Sequence, residues 1–295
     1  GIAAITDPDG ALLYLNEAGR DLCDIGRGAS LAGESLFDRY VPDAQVAVRE
    51  RAFAAAMRNG MWCGETALAG GGGQSVPLWQ VTLFHRDAVS GRGLFATLAW
   101  DISTRKDEER NLWHQATHDA LTGLPNRALL MDRLTQAMHG AERAANFTAV
   151  LLMDLDGFKA INDTHGHEAG NLVLSELAVR LYSCVRAGDT VGRYGGDEFV
   201  FILCELGSSA EVDQVVRRIH QALETPFIAG DLQLRVAASI GIAIHPDHGD
   251  DAASLLAHAD RSMYRAKDGR APRATLRLVS KKTGPTANRN VEMSV

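Results

Sequence analysis

The chain has 295 residues, of which 46% are hydrophobic and 23% charged, and its formal net charge is -7. This length suits two globular domains, and the negative balance excludes a broad positive field for nucleic acid or an anionic membrane. No apolar run approaches the roughly 20 residues of a membrane-spanning helix. The four cysteines form no Cys-x-x-Cys pair, so we interpret them as buried thiols in a reducing compartment. We therefore expect a cytoplasmic protein without a nucleic-acid partner and, in this segment, without a membrane partner.

Short β-prone segments, turns and one alanine-rich stretch fill the first hundred residues. Alternating apolar residues predict strands, and the alanine-rich stretch predicts a helix. The predicted elements are, in chain order, a hairpin of Ile2–Thr6 and Leu12–Leu15, a helix from Glu17, a helix over 46–58, a loop at Gly70–Gly73, and strands at Val76–Phe84 and Leu94–Trp100.

The order of these elements resembles that of a PAS domain. Four short segments carry the resemblance, namely Thr6–Gly10, Tyr14–Ala18, Trp62–Glu65 and Asp101–Lys106, and the last is the most telling. The resemblance implies a PAS-type antiparallel sheet with helices over residues 1–103, serving as a sensor and dimerisation domain. No motif in this part identifies a ligand for it.

A charged segment without Gly or Pro follows at residues 104–117 and predicts a linker helix that relays a signal. A solvated spacer is the alternative, because only a few apolar residues would face a paired helix. We expect a second domain over residues 118–280 and a tail over residues 281–295.

Helices alternate with strands in the second domain, which predicts an α+β fold of the ferredoxin-like or polymerase-palm type, with helices on an antiparallel sheet. The predicted elements are an apolar strand Thr148–Asp154, a helix continuing through Val179, a hairpin of Val191–Tyr194 and Phe199–Leu203, a helix Ser209–Leu223, strands near Leu232–Ile244, and a helix Ser254–Lys267.

Two acidic motifs of this domain point to chemistry at a phosphate. In Arg193–Phe199, two glycines form a tight turn and two carboxylates follow it. In Asp154–Lys159, a carboxylate stands at the end of an apolar strand, where a neighbouring hairpin brings Asp197 and Glu198 beside it. Such a carboxylate cluster suits Mg²⁺, which also takes water and phosphate oxygens.

Together with the intervening segment Ile161–Asn171, these motifs resemble the diguanylate cyclase family, whose GGDEF signature is present as Gly195–Phe199. The resemblance covers about 160 residues, with the motifs in order and at the family's spacing. It implies a Mg²⁺-dependent enzyme, with Mn²⁺ as the alternative ion, that condenses two GTP molecules into cyclic di-GMP. Because each domain holds one GTP, it also implies a homodimer.

The resemblance implies a role for each matching residue. Asp197 is the expected general base and Lys159 the group that neutralises the transferring phosphoryl, since electrostatics dominate phosphoryl transfer. The implied metal ligands are Asp154, the carbonyl of Leu155, Asp197 and Glu198. The implied substrate contacts are Gly157, Phe158, Asn162, Asn171, Gly195, Gly196, Lys267 and Arg270, of which Asn162 and Asn171 are the expected contacts with the guanine base.

The chain departs from the family pattern at two of these positions. The family commonly has Asp where this chain has Asn171, and an amide offers guanine a different set of donors and acceptors. The spacing from Lys267 to Arg270 is one residue shorter than usual. A cyclase with relaxed selectivity between GTP and ATP therefore remains an alternative.

Arg186-Ala-Gly-Asp189 stands six residues before Gly195 and matches the family's Arg-x-x-Asp inhibitory site for the product. An arginine forks onto guanine or phosphate and an aspartate accepts from guanine N–H groups. We expect Arg186 and Asp189 to bind cyclic di-GMP, with help from Arg217. An ion pair at an ordinary turn is the alternative, and an inactive module that binds GTP or cyclic di-GMP is the alternative to the enzyme.

Overall fold

The protein is described by a computed structural model that covers residues 1–71, 73–86, 91–144, 146–229 and 232–269. The chain divides into two compact units, Gly1–Leu112 and Trp113–Val295. The predicted tail and the last residues of the predicted second domain lie outside the described residues. No helix in the described ranges is both long and apolar enough to cross a membrane.

The first unit contains a five-stranded antiparallel sheet in the order β2-β1-β5-β4-β3. The predicted hairpin and the two later strands are confirmed, and a strand through Trp62–Glu65 is added to them. The strands are β1 Ile2–Thr6, β2 Leu12–Leu15, β3 Met61–Ala69, β4 Ser75–Arg86 and β5 Gly93–Asp101.

Several short helical segments of the first unit lie between its second and third strands. Asn16 caps the first of them, because its side chain accepts from the backbone N–H of Gly19. The single helix predicted over 46–58 begins earlier and is interrupted by a π-helical turn. The helical segments are α1 Glu17–Leu22, a 3-10 turn Phe37–Arg39, α2 Pro42–Ala47, a π turn Val48–Phe53 and α3 Ala54–Asn59.

A hydrogen-bonded polar row lies among apolar residues on the inner face of this sheet. The Tyr40 hydroxyl donates to Gln80 Oε1 at 2.8 Å, and Gln80 Nε2 donates to Thr82 at 2.8 Å. All three side chains are buried, so these bonds satisfy groups that would otherwise be costly in a core. The expectation of four buried thiols is wrong for Cys63, which is exposed on β3, and Cys204 is only partly buried. The first unit is thus an antiparallel sheet with inserted helices, while its assignment as a PAS-type domain stays a prediction.

A helix, α4 Ser103–Thr117, occupies the segment predicted to be helical, and none of its residues is buried. The boundary between the two units falls within it. Its role as a signal relay stays a prediction.

The second unit contains a four-stranded antiparallel sheet in the order β11-β6-β8-β7, with a separate two-stranded ribbon. Numbered along the chain, the four strands lie in the order 4-1-3-2, which agrees with the predicted ferredoxin-like α+β fold. Helix α5 and strand β9 were not predicted. The elements are α5 Arg127–Ala144, β6 Phe147–Asp156, α6 Phe158–Tyr182, β7 Thr190–Gly195, β8 Glu198–Leu206, α7 Ser209–Glu224, β9 Phe227–Ala229, β10 Leu232–Leu234, β11 Ala237–His245 and α8 Ala252–Lys267.

Strand β6 is buried on both faces of this sheet. Leu151 and Met153 belong to the core shared with α6 and α7, and Val150 and Leu152 to the core shared with α5 and α8. A strand covered on both sides reads as a continuous apolar run, which explains its sequence. Packing on both faces therefore holds β6 in place up to its acidic C-terminal end.

Helix α8 packs against β11 with its backbone almost in contact with the strand. A Cβ atom added at Gly241 would lie 2.0 Å from the carbonyl oxygen of Ala259 and 2.3 Å from the amide nitrogen of Met263. Only glycine allows this approach. The position of α8, and of the side chains it carries, therefore depends on one residue of β11.

Candidate active site

Adjacent strands of the second unit bring the predicted acidic residues to one place. Asp154 of β6 lies opposite Glu198 of β8 in the strand register, and the N–H of Leu155 donates to the carbonyl of Asp197 at 3.3 Å. Gly196, in the turn between β7 and β8, has φ 52°, a left-handed conformation that favours glycine. The glycine turn therefore positions both following acids beside the end of β6.

The carboxylates of Asp197 and Glu198 lie where ionisation is opposed. Burial raises the pKa of Asp197 and the charge of Asp154 raises it further, with partial offset from a backbone hydrogen bond. Burial also raises the pKa of Glu198, as do the charges of Asp154, Asp197 and Asp260. Such a concentration of negative charge is stabilised by a cation.

One positively charged side chain of the protein already lies beside these carboxylates. Lys267, in the last turn of α8, places Nζ 2.6 Å from Asp154 Oδ1. This hydrogen bond raises the pKa of Lys267, so the ammonium form is favoured. Lys267 is thus at the acidic cluster, while its contact with a triphosphate stays a prediction. Arg270, the other predicted phosphate contact of this segment, lies outside the described residues.

The donor chemistry of the acidic cluster fits the predicted Mg²⁺. Asp154, Asp197 and Glu198 offer only oxygen atoms, which Mg²⁺ prefers, and each is in the electrostatic field of another. Within the ranges that the structure describes, no three His, Cys, Asp or Glu side chains are gathered as a metal-binding group. The three carboxylates therefore suit Mg²⁺ by their charge and their oxygen atoms. In the described part of the chain, however, they are not gathered around a common metal position.

The N-terminus of α6 follows immediately after the acidic end of β6. Its N-cap is Gly157, with φ 72°, and the first helical residues are Phe158 and Lys159. The Phe158 side chain belongs to the core, so only its backbone is able to contact a substrate. Lys159 is exposed. Backbone N–H groups at a helix N-terminus favour phosphate, as the predicted roles of these residues require.

Asn162 and Asn171, the two predicted base contacts, both lie on α6 and flank a kink. The kink is at Gly166, whose φ of 84° and ψ of 161° are not helical. A Cβ atom added at Gly170 would lie 1.9 Å from Asn162 Oδ1. The Asn162 amide therefore rests against the backbone that immediately precedes Asn171, and the kink brings the two predicted contacts together.

An ion pair that was not predicted holds the glycine turn. Arg193 Nη1 lies 3.0 Å from Asp119 Oδ1, and its Nε and Nη2 donate to the carbonyl of Gly196 at 2.9 and 2.7 Å. The side-chain hydroxyl of Thr122 donates to Asp119 at 2.7 Å. Although burial alone would raise the pKa of Asp119, hydrogen bonds from Thr122 and Arg193 outweigh it and lower that pKa. Asp119 thus stays ionised and orients the arginine that supports the turn.

The predicted inhibitory site is occupied by internal contacts. Asp189, with 4% of its side chain exposed, accepts from the N–H of Cys204 at 3.1 Å and from the N–H of Arg186 at 3.3 Å. The Arg186 guanidinium donates to the carbonyl of Cys204 at 2.6 Å and lies 3.6 Å from Glu211 Oε2. Asp189 therefore supports the turn, and Arg186, half-exposed, is the member that faces solvent. Arg217 is exposed on α7.

Residues 116–273 match the family model of the diguanylate cyclase GGDEF domain. The match covers more than half of the chain. The chain belongs to the GGDEF family.

Two curated relatives match just over half of the chain. MucR of Pseudomonas aeruginosa, named as a bifunctional diguanylate cyclase and cyclic di-GMP phosphodiesterase, is 46% identical over 54% of this chain and 23% of its own length. The diguanylate cyclase TpbB of Pseudomonas aeruginosa is 42% identical over 55% of this chain and 38% of its own length. The chain thus spans less than two fifths of either relative.

Solved structures that contain a GGDEF domain also match just over half of the chain. The isolated GGDEF domain of TpbB has a TM-score of 0.50 at 41% identity, covering 52% of this chain and 89% of that one. The coiled coil and GGDEF domain of DgcB from Caulobacter crescentus, solved with cyclic di-GMP, has a TM-score of 0.53 at 26% identity, covering 57% and 89%. The second unit therefore has the fold of GGDEF domains.

The structure of the GGDEF domain thus unites most of the predicted site residues and adds three. Asp119 and Arg193 position the turn, and Asp260 of α8 adds negative charge near Glu198. Arg193 belongs to the predicted acidic motif. Its partner Asp119 lies 74 positions away, and the sequence around Arg193 does not predict that pair. A charged residue two positions before a glycine turn is the signal that could have identified it.

Proposed function

We propose that this GGDEF domain is a diguanylate cyclase, which condenses two GTP molecules into cyclic di-GMP and two pyrophosphates. The supporting observation is the position of Asp197 and Glu198 beside Asp154, at a glycine turn and next to a helix N-terminus. Carboxylates that raise one another's pKa favour a divalent cation, and the helix N-terminus favours phosphate. These are the two components that phosphoryl transfer needs.

In the proposed reaction, Asp197 removes the proton from a ribose 3′-hydroxyl. The resulting oxygen attacks the α-phosphorus of the GTP on the facing domain, a new P–O bond forms, and pyrophosphate leaves. The same step on the other GTP closes the ring. Because burial and Asp154 raise the pKa of Asp197, its carboxylate is a stronger base than an exposed aspartate.

Other residues of the site bind and orient the nucleotide in this proposal. Backbone N–H groups after Gly157 hold phosphate oxygens, and Lys159 and Lys267 neutralise their charge. Asp154, the carbonyl of Leu155, Asp197 and Glu198 would hold Mg²⁺, which supplies charge neutralisation at the phosphates when it is bound. Asn162 and Asn171 read the base.

The proposal requires two copies of the domain, so we propose a homodimer regulated by a PAS-like first unit. The outer face of the first unit's sheet exposes Leu83, Leu98, Trp79 and Trp100. An apolar surface of this kind favours association, and a second copy of the chain is the partner that the chemistry requires.

Product identification tests the proposed activity directly. The purified chain is incubated with GTP and Mg²⁺, and nucleotides are separated and identified by mass. We expect cyclic di-GMP and pyrophosphate in a ratio of one to two. GTP bound without conversion would refute the enzyme.

Feedback inhibition by the product is a further part of the proposal. We expect Arg186→Ala to weaken inhibition by added cyclic di-GMP while initial rates change little, because the half-exposed guanidinium lies outside the acidic cluster. Initial rates measured against product concentration give the inhibition constant for each protein. Arg143→Ala, at an exposed arginine of α5, is the matched control.

Inhibition that is unchanged in Arg186→Ala would make the Arg186–Asp189 segment an ordinary turn. Asp189 is less suitable for this test. Its removal would leave the N–H groups of Arg186 and Cys204 without their acceptor and so destabilise the turn itself.

Base selectivity depends on the amide at Asn171. An amide donates to adenine N1 and accepts from adenine N6, whereas a carboxylate accepts from both guanine N–H groups. One such hydrogen bond contributes roughly 0.5 to 1.5 kcal/mol, so Asn171→Asp should raise the ratio of GTP to ATP turnover about tenfold. The measurement is kcat/KM for each nucleotide at fixed Mg²⁺.

Asn59→Asp, the same chemical change at an exposed residue of the first unit, should leave the ratio unaltered. An unchanged or lower ratio in Asn171→Asp would show that this side chain does not contact the base. The alternative of relaxed selectivity would then lose its support.

One observation favours a second candidate, an inactive module that binds GTP or cyclic di-GMP. Asp154 is paired with Lys267, and the described residues contain no assembled metal-binding group. A binding module would bind nucleotide with or without Mg²⁺ and release it unchanged. The product assay therefore separates the two candidates.

A further inference from the structure

Two pairs of histidines stack in the second unit, outside the site described above. The rings of His114 and His118 have centroids 4.1 Å apart and planes 4° apart. Those of His248 and His258 have centroids 4.2 Å apart and planes 15° apart. The proposed reaction uses none of these four side chains, and their hydrogen bonds differ in a way that bears on metal binding.

The first pair has the spacing of a helical metal site. His114 is in the last turn of α4, and the N–H of His118 donates to the carbonyl of His114 at 2.8 Å, which continues the helical bonding by one residue. Side chains four residues apart lie on the same face of a helix. Two histidines at this spacing are an arrangement that binds Zn²⁺.

A neighbouring hydroxyl determines which nitrogen of His118 carries the proton. Thr117 Oγ1 lies 2.6 Å from the carbonyl oxygen of Trp113 and 2.9 Å from His118 Nδ1. The hydroxyl has one hydrogen and the carbonyl only accepts, so this hydrogen goes to Trp113. His118 Nδ1 must then donate to Thr117, which leaves a lone pair on Nε2. Metal-binding histidines are commonly oriented by an outer hydrogen bond of this kind.

The surroundings of His118 also favour its neutral ring. Burial lowers the pKa of His118, and the charges of His114 and Arg133 lower it further, while a hydrogen bond to the backbone of His114 acts in the opposite direction. The net effect is a lowered pKa.

The second pair lacks the corresponding lone pair. The N–H of Ile244 donates to His248 Nδ1 at 2.9 Å, so Nδ1 is the acceptor and the neutral ring carries its proton on Nε2. Binding a metal through His248 would cost this hydrogen bond. The His248–His258 pair is therefore an internal control of similar ring geometry and opposite tautomer.

We propose that His114 and His118 form a binding site for a borderline divalent transition-metal ion such as Zn²⁺. An imidazole binds a metal in its own ring plane, so the nearly parallel rings must turn about their side-chain torsions until both lone pairs point at one ion. With Zn–N bonds of about 2.1 Å, the two nitrogens of a tetrahedral site then lie about 3.4 Å apart. Two imidazoles are the protein ligands and water completes the shell. Mg²⁺ prefers oxygen ligands and does not compete for this pair.

The position of the pair connects it to the GGDEF turn. His118 immediately precedes Asp119, whose carboxylate holds Arg193 at 3.0 Å. An ion shared by His114 and His118 joins the last turn of α4 to the residue before Asp119. The site is thus placed to stabilise the segment that orients the glycine turn, whether or not the domain is an active cyclase.

Calorimetric titration of the untagged full chain with Zn²⁺, in excess Mg²⁺, tests the site. We expect His114→Ala and His118→Ala each to weaken Zn²⁺ binding by at least about tenfold, because two linked ligands bind more tightly than one. Thr117→Val, which keeps both histidines, should weaken it by about tenfold through the lost outer hydrogen bond. The double variant His248→Gln/His258→Gln should bind Zn²⁺ as the unaltered chain does.

A spectroscopic readout makes the test independent of affinity. Cu²⁺ bound to the unaltered chain should show two nitrogen ligands by electron paramagnetic resonance, and one in either histidine variant. Circular dichroism of the metal-free variants verifies that they are folded. Unchanged affinity in His114→Ala or His118→Ala, or an equal loss in the His248→Gln/His258→Gln control, would overturn the proposal.

Discussion

Replacing Asp197 by asparagine should lower the turnover of GTP by at least the roughly 100-fold that is typical of a lost general base. The amide has nearly the same shape as the carboxylate but neither its charge nor its basicity. Because burial and Asp154 raise the pKa of Asp197, removing this charge also relieves repulsion within the acidic cluster. We therefore expect Asp197→Asn to be folded and at least as stable as the unaltered chain.

The measurement is the initial rate of cyclic di-GMP formation at saturating GTP and Mg²⁺, with thermal unfolding in parallel. Asp213→Asn, at a half-buried aspartate of α7 that the proposal does not use, is the matched control. Nearly normal turnover in Asp197→Asn would show that another group accepts the proton. A loss of turnover accompanied by unfolding would point to a structural role for Asp197.

Gly241→Ala should destabilise the second unit strongly, although it adds only one methyl group. That methyl would lie 2.0 Å from the carbonyl oxygen of Ala259, a backbone atom that moves only if α8 moves. Overpacking costs about 1 to 3 kcal/mol, and contact with backbone places this case near 3 kcal/mol. For a unit of this size the unfolding midpoint should fall by roughly 6 to 12 °C.

Gly140→Ala in α5 is the matched control, because a Cβ there meets nothing within 4 Å. It should be neutral or stabilising by up to about 1 kcal/mol, since alanine favours helix. Gly241→Ala should also weaken nucleotide binding, because α8 carries Lys267. Similar midpoints for the two alanine variants would mean that β11 and α8 adjust without cost.

Regular periodicity made most elements of both units predictable from sequence, although β3, α5 and β9 were missed. The apolar run of β6 and the glycine turn at Gly195 and Gly196 were sufficient to place Asp154 near Asp197. Local signals of this kind depend on neighbours in the chain, and the structure agrees with them. The structure differs from the single helix predicted over 46–58, because an alanine-rich sequence does not specify where a π turn interrupts the helix.

Contacts between distant segments were not predictable in the same way. The ion pair of Asp119 with Arg193 joins the segment after α4 to the strand before the turn, and neither sequence segment identifies the other. The same holds for the hydrogen bond from Lys267 to Asp154, across 113 positions. Such pairings follow from tertiary packing, which a single sequence does not encode in a local pattern.

The kink at Gly166 separates the two tasks that we propose for residues of the GGDEF domain, phosphate chemistry and recognition of the base. The acids stand on strands that are fixed by two cores, while both amides stand on α6, on either side of a residue that only glycine suits. Substitutions at Asn162 or Asn171 thus change a helical surface and leave the strand register untouched. To change the purine that the proposed cyclase accepts, these two helical positions alone would be varied. The residues proposed to act at the phosphates would stay as they are.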